Sequence, residues 1–236
     1  MKIEKLISSI VFAFVIFVAS SAYSEGIVTG KVTYSGPPVV PQPINFGAEK
    51  QCAEAHGDKM PVNEDLVINP NGTVKWALVR VQEDVPGDYP VPADPVLIDQ
   101  TGCTFVPHVA SVRAGQPVEF KNSDAVLHNV RGFSKLGQSF NVAQPIQGMK
   151  TKKTFALPEP GMPIKCDVHY WMIGYLHIMP NPFYAITGDD GTFAIKGLPA
   201  GTYTLELWHE KLGSLTQTIT VKDGETETAD FVLEKK

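Results

Sequence analysis

The sequence predicts an all-β protein built as two small β-sandwiches, and three observations carry that reading. Gly (20) and Pro (19) are too frequent for a helical chain. No long stretch repeats its apolar residues at a 3.6-residue period. Short runs instead alternate apolar and polar residues between turn signals, as half-buried strands do.

The first segment is set apart from the fold. "MKIEKLISSIVFAFVIFVASSAYSEG" opens with Lys2 and Lys5, continues with an apolar run from Ile7 to Val18, and then turns to small residues. Ala22-Tyr23-Ser24 fits a small-x-small cleavage site, so residues 1–24 are expected to be a signal peptide cut after Ser24. The apolar run is short for a membrane span. The expectation is a periplasmic or secreted chain with no membrane span in its mature form. Removal of 24 residues leaves 236 − 24 = 212, enough for one large or two modest domains, with a formal charge of 18 − 24 = −6. There is no basic patch or charge block, which argues against nucleic acid and anionic membranes as partners.

The elements then follow in order. "GIVTGKVTYSG" (Gly26–Gly36) alternates and is read as a strand closed by a turn. "PPVVPQP" (Pro37–Pro43) is extended and unsuited to a sheet interior. "DLVINPNGTVKWALVRV" (Asp65–Val81) reads as a hairpin around Asn69-Pro70-Asn71-Gly72. The Pro-rich "GDYPVPADP" (Gly87–Pro95) marks a boundary, so residues 25–95 form an N-terminal β segment. Residues 96–180 hold short strands and turns, ending in "GYLHIM" (Gly174–Met179), where alternation turns Leu176 and Ile178 inward and Tyr175 and His177 outward. Residues 181–236 read as an antiparallel sandwich with tight turns and no titratable cluster.

The chemistry concentrates in "KCDVHYWM" (Lys165–Met172), where a thiol, an imidazole and a thioether fall within seven residues. Soft sulfur plus imidazole selects copper over hard cations, and a trigonal His₂Cys set with a weak axial Met describes a blue-copper electron-transfer site. "SDAVLHNV" supplies the second imidazole, His128, 38 residues before Cys166. Zinc is the next candidate, but Met is a poor zinc ligand.

"NSDAVLHNV…CDVHYWM…GYLHI" resembles the cupredoxins, with a Cys-x₂-His-x₂-Met loop similar to that of amicyanin. The resemblance implies a Greek-key β-sandwich over roughly Val96–Met179, and one type 1 copper ion on His128, Cys166, His169 and Met172. Met162 and Met179 are the other thioethers of the segment. The resemblance also implies that Asn129 braces the cysteine loop. Met162 stands where a dinuclear centre needs a second cysteine, and the chain has no His-x-His pair, so dinuclear and multicopper chemistry are not expected. The tail, through "GDDGTFAIKGLPAGTYTLELW", resembles the carboxypeptidase regulatory-like (transthyretin-like) sandwich, and "GIVTGKVTYSG" looks like the first strand of that fold. The copper domain is then inserted in, or packed between, pieces of the second sandwich.

Cys52 and Cys103 leave two readings. One is a disulfide, suited to an oxidising compartment. The other is a second metal site with His56 and His108, although those spacings match no standard zinc pattern. His177 and His209 read as surface residues or domain-interface partners. Tyr170, Trp171 and Tyr175 read in part as packing and in part as an aromatic rim for a weak docking face. Asp189-Asp190 and Glu83-Asp84 are turn or solvated positions that offer no acid–base couple. The expected function is electron transfer by Cu(II)/Cu(I) cycling with an unidentified redox partner protein, not catalysis. Copper delivery or buffering, and a structural or carbohydrate-binding module, are the alternatives.

Overall fold

The structure is a computed structural model that describes residues 25–235. The expected signal segment, residues 1–24, lies outside the described residues. The chain opens with β1 (Gly26–Ser35), a five-residue helix α1 (Lys50–Glu54) and β2 (Leu78–Val81). Nine strands follow: β3 (Val96–Thr101), β4 (Thr104–Val106), β5 (Val109–Arg113), β6 (Pro117–Asn122), β7 (His128–Gly132), β8 (Phe140–Gln144), β9 (Lys150–Thr154), β10 (Glu159–Lys165) and β11 (Ile173–Met179). The tail supplies β12 (Tyr184–Ile186), β13 (Thr192–Leu198), β14 (Gly201–His209), β15 (Gly213–Val221), β16 (Thr226–Thr228) and β17 (Phe231–Glu234). The protein is an all-β sandwich structure.

Two sandwiches share the chain. In the first, a five-stranded sheet ordered β5-β11-β10-β7-β8 faces a four-stranded sheet ordered β4-β3-β6-β9. Ile98, Phe105, Val118, Phe120, Val130, Ile164, Leu176 and Ile178 fill its core. In the second, β12-β2-β14-β15 form one sheet, while β1 lies between β13 and β16 and also pairs with β17 in the other. Its core joins Val28, Val32, Val79 and Val81 from the start of the chain to Phe193, Leu205, Leu207 and Phe231 from the tail. The first sandwich, β3–β11, is therefore inserted between β2 and β12 of the second.

The insertion explains a covered face. His177 was expected on the outer face, as a surface residue or a domain-interface partner; it is fully buried, packed edge-on at 4.6 Å against Trp208 of the second sandwich, so the interface reading holds. Alternation along β11 separates two faces correctly, yet the outer face is covered by another domain. His209 is buried there as well, and His108 hydrogen-bonds Glu210 across the same seam. The tail thus contributes His209 and Glu210 to the titratable groups at this seam, where no cluster was expected. Asn69–Gly72 forms the expected turn, with the Gly72 N–H donating to Asn69 O at 2.9 Å. The flanking residues pair only through the isolated Ile68–Val74 bridge, so regular strand begins at Leu78.

Val28 and Val32 of β1 are both fully buried, and each such side chain is worth about 1.5–3 kcal/mol of transfer from water. Residues 180–236 expressed without β1 are expected to show no cooperative unfolding. A sigmoidal urea transition for that fragment would contradict this.

Burial holds the His177 pKa down to about 3, with the Arg80 charge adding to the effect, and holds His209 down to about 4 with help from His108. Both are bases whose folded pKa lies below the unfolded value, so their neutral forms are favoured by folding. Their cost is absent above the unfolded pKa of about 6.5 and grows as pH falls toward the folded values. His177 Nδ1 accepts the Gly161 N–H at 2.9 Å, an acceptor role that glutamine can keep without titrating. The urea midpoint is expected to fall between pH 6.5 and 4, with a shallower slope in His177→Gln.

Candidate metal centre

The site lies at one end of the first sandwich because β7 and β10 are antiparallel neighbours, with Lys165 opposite Arg131. His128 opens β7 and Cys166 follows β10, so the sheet register brings them to the same end. The loop from Cys166 to Met172 closes on itself: the Cys166 N–H donates to Met172 O at 3.2 Å and the Met172 N–H donates to His169 O at 2.9 Å. His169 is carried back toward His128 by that closure. The two Nδ1 atoms face each other at 2.9 Å, and His169 Nδ1 lies 3.7 Å from Cys166 Sγ. One donor atom from each of His128, Cys166 and His169 falls within 4.8 Å of the others, and all three residues are buried. Met172 is buried in the same core. Met162, opposite Leu176, and Met179, opposite Arg113, belong to paired strands.

Asn129 ties the ligand loop to β7. Its Oδ1 accepts the Asp167 N–H at 2.7 Å and lies 3.4 Å from Cys166 Sγ. Its Nδ2 donates to Asp167 Oδ2 and Asn141 Oδ1. Burial opposes ionisation of Cys166, but hydrogen bonding from His128 and His169 outweighs it and holds the thiol at about 5. A thiolate at neutral pH is the form that binds a metal ion.

Asp124, the aspartate of "SDAVLHNV", has a role that the sequence reading missed. Its Oδ2 accepts from His128 Nε2 at 2.9 Å, while the backbone N–H groups of Gly102 and Cys103 donate to its two oxygens at 2.7 and 2.8 Å. Burial of Asp124 works against its charge, yet these bonds keep its carboxyl below the usual range. A carboxylate on Nε2 fixes the His128 tautomer and leaves Nδ1 as the donor. Its spacing, four residues before His128, was the only signal in the sequence.

Cys52 and Cys103 are joined in a disulfide. His56 and His108 take other partners: His56 Nε2 bonds Gly102 O at 2.7 Å and stacks on Phe46, and His108 bonds Glu210. The disulfide lies over the ligands, with Cys52 Sγ 3.8 Å from His169 Nε2. Phe46 and Cys52 pack into the same core, and Trp171 donates its indole N–H to Cys103 O at 3.0 Å. Residues around α1 therefore cover the metal end, and His169 is only 1% exposed.

Residues 180–234 match the carboxypeptidase regulatory-like domain. That range is the tail part of the second sandwich, from just before β12 to β17, without β1 and β2. No curated protein sequence matches the chain. Among solved structures, a copper-containing nitrite reductase from Thermus scotoductus SA-01 is similar at 23% identity and a TM-score of 0.34, over 41% of this chain. The chain spans only 25% of that reductase. A purple cupredoxin from Nitrosopumilus maritimus is similar at 21% identity and a TM-score of 0.31, over 35% of this chain and 98% of its own. An oxidised amicyanin mutant is similar at 19% identity and a TM-score of 0.33, over 42% of this chain and 97% of its own. Among the described residues no helix is long and apolar enough to cross a membrane.

Loss of a carboxylate that orients a ligand imidazole typically costs 10–100-fold in metal affinity. Asp124→Asn is expected to weaken Cu(II) binding by about that factor in a chelator competition, with the far-UV spectrum unchanged. Unaltered affinity would show that Asp124 serves only the turn.

Proposed function

We propose that the protein is an exported one-electron carrier that holds a single type 1 copper ion on His128, Cys166, His169 and Met172. The donor types carry the choice of metal: one thiolate, two imidazoles and a thioether suit copper and poorly suit zinc or a hard cation. Copper in such a site supplies Cu(II)/Cu(I) cycling. The chain's part is to hold its ligands still. Asn129 fixes the loop that carries Cys166, Asp124 fixes the ring of His128, and the Cys166–Met172 backbone bonds fix His169.

The observation that favours a carrier over delivery or buffering is burial of the whole donor set. His128, Cys166, His169 and Met172 are all within a few per cent of full burial. Exchange of metal with a partner needs an open edge, whereas electron transfer needs only proximity and small rearrangement. The partner is then a redox protein that meets the covered end briefly; nucleic acid and membrane have no counterpart in the surface charge.

The test is the visible spectrum after Cu(II) is added at pH 7. An intense thiolate-to-copper band is expected in the wild type and not in Cys166→Ala. The band is expected to fade on acidification, because protons compete with the metal for the Cys166 thiolate and the two imidazoles. A folded, reduced wild type without the band rules the proposal out.

A further inference from the structure

The disulfide lies against the candidate metal centre, beside the His169 ring. Cys52 Sγ is 3.8 Å from His169 Nε2, the ring nitrogen that the first site does not use. Cys52, Cys103 and His169 each offer a donor atom within 4.8 Å of the others, and all are buried. A cavity of about 280 Å³, lined by Gln51, Glu54, Ala55, Cys103, Asp124 and Val126, opens on the Cys103 side.

We infer that Cys52, Cys103 and His169 Nε2 form a second soft-metal site, for Cu(I), when the disulfide is reduced. A dithiol supplies the two electrons. Its thiolate attacks Cys103 Sγ from the cavity, the S–S bond breaks, and Cys52 leaves. The second thiol of the reductant then closes a cyclic disulfide and frees Cys103, so that one protein disulfide and one dithiol become two protein thiols and one small disulfide. Cu(I) binds with loss of the two thiol protons to solvent. Two thiolates and an imidazole make a three-coordinate set suited to Cu(I), whereas structural zinc asks for a fourth ligand.

The site needs the two sulfurs to stay together after the bond is cut, and other contacts hold them. His56 Nε2 bonds Gly102 O, the Trp171 indole donates to Cys103 O, and Tyr170 Oη donates to Asn45 O at 3.2 Å. Phe46 stacks on His56 and packs edge-on against Trp171. The segment carrying α1 is therefore docked by groups that reduction leaves in place. The second site uses Nε2 while His169 keeps its proton on Nδ1; with both positions filled, His169 would bridge them as an imidazolate and lose that third proton to solvent.

The experiment is an anaerobic Cu(I) titration of the full mature chain against a competing chelator. It is run as isolated and again after dithiothreitol reduction and desalting, with far-UV circular dichroism on each sample. One additional tightly held ion per chain is expected after reduction, with the β spectrum kept. The gain is expected to persist in Cys166→Ala and to vanish in the Cys52→Ala, Cys103→Ala double variant. Equal stoichiometry before and after reduction, a gain retained by the double variant, or a gain seen only with loss of the β spectrum would each overturn the site. The readout is separate from the blue band: a missing band with the extra ion present removes the electron-carrier reading and leaves this site standing.

Discussion

The Asp124 carboxylate is the contact on which the metal end depends. It takes two backbone N–H groups from the turn between β3 and β4 and the Nε2–H of His128 on the other side. Those three bonds place the turn that bears Cys103, orient the imidazole that opens β7, and so decide which nitrogen faces His169. That orientation leaves the His128 nitrogen that faces His169 free to hold a metal ion in the carrier reading. Burial makes the bonds strong and also makes an unpaired carboxylate costly. The hairpin turn and the ligand are therefore one unit.

The second sandwich acts on the first through the outer face of β11. His177, Tyr175 and Trp208 interlock there, and the Arg80–Glu206 pair closes the far side. Glu210 reaches His108 just before β5, and its charge, adding to burial, lifts the Tyr175 hydroxyl to about 12. Since β1 and β2 lie before the insertion and β12 to β17 after it, the two sandwiches are held at both ends of the inserted domain. Relative motion would have to break the seam and bend both crossings, which favours a fixed spacing between the metal end and the tail.

Much of this was legible because it depends on local order. The strand classes follow from alternation, and the Cys166–Met172 loop is read as a candidate metal site from residue type and spacing alone. Three features were not legible, each for its own reason. The burial of His177 needs knowledge of which domain covers a face, and alternation only says that there are two. Asp124 sits in a sequence that any β-turn would accept, so its chemical role appears only when His128 is folded back over it. The cover formed by Phe46, Cys52 and α1 comes from a stretch of weak pattern after the Pro-rich run, positioned by the disulfide and by aromatic stacking rather than by propensity.

That cover changes how an electron would leave the site in the carrier reading. A partner cannot touch His169, which is 1% exposed. The aromatic groups nearest to it continue outward instead: His169 to Trp171 at 5.2 Å between ring centres, and Trp171 to Tyr170 at 5.0 Å. Tyr170 is 71% exposed and sits inside the ligand loop, so it presents the outer end of that row to a docking protein. Val168 and Leu127, both half exposed, flank the same loop and the strand that carries His128. An apolar rim of this kind suits a brief contact, and in the carrier reading the disulfide that closes the histidine edge would direct docking to Tyr170.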